Sequence, residues 1–391
     1  MIKHGLWLGV VVVGFAVAGL IPACDASAPP SAENLQEIDA LAAAEFAQDS
    51  VGSLTIGVIA PSRELWTKSY GFADGDKTIP ATQDTIYRIG SITKQFTALM
   101  LLQLVERGKV HLSDPVAKYF PEVDRIQGRF PSAPPITLIQ LATHTAGLAV
   151  EPDELEKYTV GPVDRWESVL LTALPHTRYV HEPGTRFSYS NIGYAILGAA
   201  LARAAKQPYT QYVQENIFQP LGMTHTAFEL TEAMKPRLAA GLHIDDGRVD
   251  AAVARREHEG RGYKVPNGAA YTTVRDLAAF VSFELGNGPE TVLKKDHLSE
   301  NFDRLIAAHQ SLRGGYGLGF ETFRRGDLQS FGHSGRVTGY EASAYFDRAA
   351  GTGIVLLRSA TGGSFVGPRL CSAILEKLAA KQPAEPRQPP R

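Results

Sequence analysis

The stretch IYRIGSITKQFTALMLLQLVERG, residues 86–108, places Ser91 and Lys94 three residues apart at the head of a long apolar run. Serine is favoured as a helix N-cap, which gives Ser91 one ordinary reading. The following segment, residues 98–105, is apolar nearly all round and predicts a helix buried within the protein. A cation in the first turn of such a helix is poorly placed, because the positive end of the helix dipole opposes it. Residues i and i+3 share a helix face, so Lys94 lies beside the Ser91 hydroxyl. Burial and the dipole both push the amine below its reference pKa of about 10.4. A lysine shifted in this way accepts a serine proton. The N–H groups at the helix start also favour a developing negative charge. The spacing S-x-x-K arises often by chance, so this chemistry needs partners elsewhere in the chain.

Two further stretches supply them. FSYSNIGYAILGAA, residues 187–200, carries Tyr189 and Asn191 just ahead of another buried helix. A phenol beside a lysine can shuttle a proton, and an amide can hold a substrate carbonyl. GHSGRVTGYEASAYF, residues 332–346, carries His333, Gly335 and Arg336 along a strand. A glycine there lets a ligand backbone approach closely, and an edge strand can bind an extended peptide. Taken singly, Tyr189 reads as core, Asn191 as a helix cap and His333 as structural. His144, in THTAGL at residues 143–148, also reads as structural.

The pattern along the chain predicts an α+β fold. Strand-like segments at residues 53–60 and 64–73 are joined by a short turn. Helical signals dominate residues 91–285. Strands return at 315–323, 328–335, 340–347 and 353–360, and a final helix is expected over 365–380. The simplest architecture is one antiparallel sheet built from residues 35–90 and 286–380, with the first and last helices flanking it. The helical lobe then packs against this sheet, and the cleft between them is the expected active site. Residues 24–34 read as a flexible tether, residues 35–380 as a single catalytic domain, and the Pro-rich residues 381–391 as a disordered tail.

The 391 residues are 44% hydrophobic and 20% charged, with a formal charge of −2, and show no basic footprint for nucleic acid. Lys3 and His4 precede an uncharged apolar run, residues 5–21, which reads as an export signal within residues 1–23. LIPAC, residues 20–24, resembles a bacterial lipobox, in which Cys24 would be lipidated. That places the protein in a bacterial cell envelope, tethered to the membrane through a lipid or an N-terminal anchor. Cys371, the second of two cysteines, reads as a small buried apolar residue without a disulfide.

In the order S-x-x-K, Y-x-N, H-x-G, these motifs resemble those of the serine β-lactamase and penicillin-binding protein superfamily. The branch is that of class C β-lactamases, D-alanyl-D-alanine carboxypeptidases, D-aminopeptidases and related esterases. ITLIQLATHTAGL, PGTRFSYSNIGYAILG and PLGM are similar to blocks of that family, and the likeness spans residues 35–380. It implies a β-lactamase/transpeptidase-like fold and a serine hydrolase working through an acyl-enzyme, without metal or cofactor. It implies Ser91 as nucleophile, with Lys94 and Tyr189 sharing the acid–base work. Asn191 would bind the substrate amide, and His333 would assist the relay or hold a substrate group. The backbone N–H groups of Ser91 and Arg336 would form the oxyanion hole beside Gly335. Histidine in the third motif, where class C β-lactamases carry lysine, favours a small-molecule or peptidoglycan-type peptide substrate over efficient lactam hydrolysis. The motif NGAAYTTVRDLAAF, residues 267–280, lacks the paired glycines common in relatives.

Other classes fit less well. An α/β-hydrolase needs G-x-S-x-G, and Gly332-His333-Ser334-Gly335 is one residue short. His243 and His258 lie near carboxylates without metal-ligand spacing and read as solvated loop charges. A sensor lipoprotein that stays acylated would keep the same residues, because fold does not determine turnover.

Overall fold

The computed structural model describes residues 30–298, 314–326 and 328–380. The expected export signal, Cys24 and the C-terminal tail lie outside the described residues. Among the described residues no helix is long and apolar enough to cross a membrane.

Seven strands form the main sheet. They are β1 (Ser53–Ile59), β2 (Leu65–Gly71), β7 (Gly314–Tyr316), β8 (Glu321–Arg325), β9 (Leu328–Val337), β10 (Tyr340–Asp347) and β11 (Thr352–Arg358). Their order is β2-β1-β11-β10-β9-β8-β7, every neighbouring pair antiparallel. The N-terminal hairpin thus joins the C-terminal meander through the β1–β11 pair, from Leu54 opposite Arg358 to Ile59 opposite Gly353. Both strands are buried along their whole length, which explains why SLTIGVI and TGIVLLR are nearly continuous apolar runs.

One face of the sheet packs on α1 (Ala32–Ala47) and on α10 (Gly367–Ala380) through Ile38, Ala42, Leu370 and Ile374. The helix α1 begins within the stretch expected as a tether, because the Ser31 side chain caps it by accepting the Asn34 N–H at 3.2 Å. The free Cys371 is buried in this layer. The other face, through Ala342, Ala344, Phe346, Val355 and Leu357, meets the helical lobe.

That lobe contains α2 (Thr93–Glu106), α3 (Leu138–Ala142), α4 (Trp166–Ala173), α5 (Asn191–Ala205), α6 (Tyr209–Val213), α7 (Ala252–Arg256), α8 (Val265–Gly268) and α9 (Val274–Ser282). Small strands interrupt it, within the mostly helical expectation. The strand β3 (Tyr87–Arg88) pairs with β6 (Tyr271–Thr272), while β4 (Leu242–Asp245) pairs with β5 (Arg248–Asp250) and β12 (Ala360–Thr361). Within residues 136–148 the only α-helix is the five residues of α3. A Thr137–Gln140 capping box starts it, and left-handed His144 and Gly147, at φ 57° and 71°, turn the chain into a strap.

Arg358, at the end of β11, is 1% exposed and pairs with Asp49, just beyond α1. Two of its nitrogens have no hydrogen-bond partner among the described residues, so Asp49 carries most of the neutralisation. Asp49→Ala should therefore cost about 3 kcal/mol or more, since it strands a buried charge. Chemical unfolding of the two proteins checks this; a loss under about 1 kcal/mol would show that the guanidinium rehydrates freely.

Candidate active site

Ser91 does not cap α2. It sits inside a 3₁₀ turn, Gly90–Ile92, and the N-cap position is Ile92 with no side-chain bond. Its hydroxyl is therefore free for other work. Nearly every residue of α2 is buried, and Lys94 is fully buried.

Lys94 Nζ has three oxygen neighbours. It lies 3.1 Å from Ser91 Oγ, 2.7 Å from Asn191 Oδ1 and 3.0 Å from the Asn267 carbonyl. Burial is the largest influence on the amine and holds its pKa well below the ordinary lysine range. The Glu151 carboxylate opposes that shift and Lys264 adds to it. A neutral amine has two hydrogens and one lone pair. In that state Asn191 Oδ1 and the Asn267 carbonyl would accept the two hydrogens and leave the lone pair for Ser91.

The orientation of Asn191 is set by Glu151. Asn191 Nδ2 donates to Glu151 Oε1 at 2.9 Å, and a carboxylate can only accept, so Oδ1 faces the lysine. Glu151 also accepts from Lys264 at 2.9 Å and from the Tyr263 hydroxyl. Ser190, rather than Asn191, caps α5: its Oγ accepts the Gly193 N–H at 3.0 Å and donates to the Ala149 carbonyl at 2.7 Å. That leaves Asn191 free to reach inward.

Tyr189 stands over the same group, its ring centroid 4.9 Å from Lys94 Nζ. The Ser91 side chain lies near enough to influence its hydroxyl. Burial raises its pKa beyond the ordinary tyrosine range, and Ser91 opposes this more weakly. The amine and the phenol are thus pushed apart, one toward its neutral base and the other toward its neutral acid.

The third motif reaches the site through its backbone. A Cβ on Gly335 would lie 1.9 Å from the Ile89 carbonyl and 3.0 Å from Ser91 N, and a Cβ on Gly90 would lie 2.8 Å from Arg336 N. Glycine at both positions lets β9 press against the Ser91 turn and brings the Ser91 and Arg336 amides together. The Arg336 guanidinium points outward and pairs with Glu341 on β10, its side chain 66% exposed.

His333 is 1% exposed, and its two nitrogens are occupied. Nδ1–H donates to the Ser334 carbonyl, so Nε2 accepts the Tyr316 hydroxyl at 3.0 Å. Burial lowers its pKa. It lies near Tyr189, with ring centroids 6.3 Å apart, and packs on Tyr316. His258, expected as a solvated charge, is instead held between the Tyr271 and Tyr340 hydroxyls at 2.8 and 3.2 Å. Burial takes its pKa down to about 4. His243 lies 3.0 Å from Thr361 Oγ1.

Sequence reasoning missed Glu151, Tyr316 and the Asn267 carbonyl. None lies in a motif whose spacing signals its role, although Glu151 follows the THTAGL block by three residues. Beside Arg336 opens a cleft of about 760 Å³ that includes Glu156, Glu257, Arg261, Lys264 and Thr338 in its walls. Glu257 there binds Arg88 at 2.8 Å, Arg261 at 3.3 Å and Thr338 at 2.7 Å. A larger cavity of about 920 Å³ borders β8, β9 and α10; neither it nor the cleft beside Arg336 is lined by Ser91, Lys94 or Tyr189, and the convergent polar side chains, not cavity size, identify the site.

The chain belongs to the Beta-lactamase family, whose model matches residues 38–376. It is 26% identical over 329 residues to Protein flp of Staphylococcus aureus (strain COL), covering 83% of this chain and 63% of that protein. It is 28% identical over 369 residues to Beta-lactamase-like protein 2 of Dictyostelium discoideum, covering 90% and 65%. The chain thus spans just under two thirds of each of these relatives. The octameric penicillin-binding protein homologue from Pyrococcus abyssi superposes with a TM-score of 0.74 at 25% identity, over 89% of this chain and 78% of that one.

Gly335→Ala should drive β9 off the Ser91 turn, lowering Tm and slowing covalent labelling of Ser91 about 100-fold. Labelling at the parent rate would mean that the turn tolerates the displacement. A second outcome concerns pH. Because burial depresses the Lys94 pKa in the folded state, the unfolded chain binds the extra proton between that value and about 10.4, and stability rises with pH across this window. Lys94→Met removes this dependence. Its stability relative to the parent should be greatest on the acid side of the window and decline as pH rises; a pH-independent difference in denaturant titrations contradicts the depressed pKa.

Proposed function

We propose that this protein is a serine hydrolase that acts through an acyl-enzyme on Ser91, and that its substrates are D-alanyl-D-alanine-type or related D-peptides. The observation that carries the reading is the fully buried Lys94 Nζ with three oxygens around it, those of Ser91, Asn191 and Asn267. With both N–H groups engaged by acceptors, the neutral amine presents its lone pair to Ser91 Oγ at 3.1 Å.

In the acylation step Ser91 Oγ attacks the carbonyl carbon and its proton passes to Lys94. The oxyanion forms against the Ser91 and Arg336 amides, an interaction whose loss typically costs about 10²–10³ in rate. Tyr189, kept protonated by burial, is the acid that delivers a proton toward the leaving amine. The serine proton then passes from Lys94 to the Tyr189 phenolate, which restores both groups, and a water releases the acyl group by the reverse path. The cleft beside Arg336 mixes carboxylates with guanidinium and ammonium groups, which suits a polar peptide better than a long apolar acyl chain. The relative titled a penicillin-binding protein homologue and the histidine of the third motif support the same substrate class. The N-terminal apolar run and Cys24 support export and a lipid tether in the cell envelope.

Intact-protein mass spectrometry after mixing with a penicillin tests the proposal, with Ser91→Ala as control. A lasting adduct that disappears in Ser91→Ala is the expected result for a D-peptide hydrolase. Consumption of the penicillin without adduct makes the protein a β-lactamase instead, and the absence of both adduct and consumption moves the substrate to esters and other D-peptides. Tyr189→Phe should slow acylation less than Lys94→Met; unchanged acylation in the phenylalanine variant removes Tyr189 from the reaction.

A further inference from the structure

Outside the Ser91 group, one buried titratable side chain is tied to Tyr189 from several directions. His144 is 1% exposed. Its carbonyl accepts the Ser188 N–H at 2.7 Å, and its ring Nδ1 accepts the Ser190 N–H at 3.0 Å. Those two amides flank Tyr189. The His144 ring also lies on the Tyr189 ring, with centroids 4.2 Å apart and planes tilted by 35°. The rings of Tyr194 and Tyr316 close around it at 4.9 and 4.7 Å.

Two features of His144 are unfavourable for stability alone. Its backbone is left-handed, at φ 57°, a conformation costly for a ring-bearing residue. Because Nδ1 accepts, Nε2 carries the hydrogen, and that N–H has no hydrogen-bond partner among the described residues. Burial, with Lys94 and His333 nearby, keeps the ring neutral, as an accepting Nδ1 requires. An apolar aromatic residue would fill the same space without stranding an N–H, but it could not accept from Ser190. The left-handed turn in turn lets one residue present its carbonyl and its ring to the same short segment.

We infer that His144 is a positioning residue for Tyr189: it clamps the backbone on both sides of that tyrosine and one face of its ring, and so holds the phenol on Ser91. This rests on the proposal that Tyr189 acts on Ser91.

The test is the rate at which a fluorophosphonate probe labels Ser91 in the full chain. The reaction forms an Oγ–P bond and releases fluoride, and intact mass follows it. Rates are normalised to the folded fraction from circular dichroism. His144→Phe keeps a ring and removes the acceptor. His144→Asn keeps an acceptor at the Nδ1 position, tolerates the left-handed backbone and removes the ring. Labelling should slow about tenfold or more in the phenylalanine variant and less in the asparagine variant. In a Tyr189→Phe background neither change should slow labelling further, because the group being positioned is gone. If His144→Phe fails to fold, the asparagine variant completes the cycle alone. The same slowing in both backgrounds, or a lowered Tm with no slowing, overturns the positioning role and leaves the hydrolase proposal intact. A parent protein that the probe does not label at Ser91 overturns the hydrolase proposal, and the positioning role with it.

Discussion

Everything near Ser91 follows from one constraint, the complete burial of the Lys94 amine. A charged ammonium in that position costs several kcal/mol of lost hydration, so the neutral form is favoured. A neutral amine in the interior still needs its two hydrogens satisfied. Asn191 Oδ1 and the Asn267 carbonyl do this from α5 and α8, two helices distant in sequence from α2. The same pair of bonds that satisfies the core also aims the lone pair. Packing and chemistry are here one requirement, because a slip of either acceptor would both strand an N–H and misdirect the base.

The acceptors are themselves held by a second layer. Glu151 determines which end of the Asn191 amide faces inward, and Lys264 and Tyr263 hold Glu151. The Asn267 side chain donates to the Asn191 carbonyl at 3.0 Å, joining the two helices that supply the acceptors. The strap after α3 continues the pattern, with the Val150 carbonyl taking the Asn191 N–H at 2.9 Å. From the opposite side β9 closes the site by backbone contact. Only residues without a Cβ allow that approach, so Gly90 and Gly335 act by leaving room rather than by making bonds.

The sheet supports this arrangement through its mixed origin. Its joining pair, β1 and β11, comes from the two ends of the described fold. The helical lobe is therefore inserted between strands, and its cleft toward β9 is a seam between units of different sequence origin. Charged groups along the seam, such as Glu257 between Arg88 and Arg261, keep the rim polar.

Several features were legible without the tertiary structure. The apolar run after Lys94 implied a buried helix, and the helical period placed Ser91 and Lys94 on one face. Strand-like segments at both ends implied one sheet made from both. These are local properties, encoded by the repeat of 3.6 or 2 residues. Other readings failed because they depended on distant neighbours. Ser91 looked like a cap until the 3₁₀ turn moved the helix start past it. The spacing of the third motif could not show that the His333 nitrogens meet Tyr316 and the Ser334 carbonyl. His258 looked solvated until Tyr271 and Tyr340 enclosed it. By itself the sequence determined which residues could do the chemistry and roughly where the elements ran. Only the tertiary structure decided which hydrogen faces which oxygen, since the lysine's acceptors lie 97 and 173 residues away and long-range burial, not spacing, sets its proton.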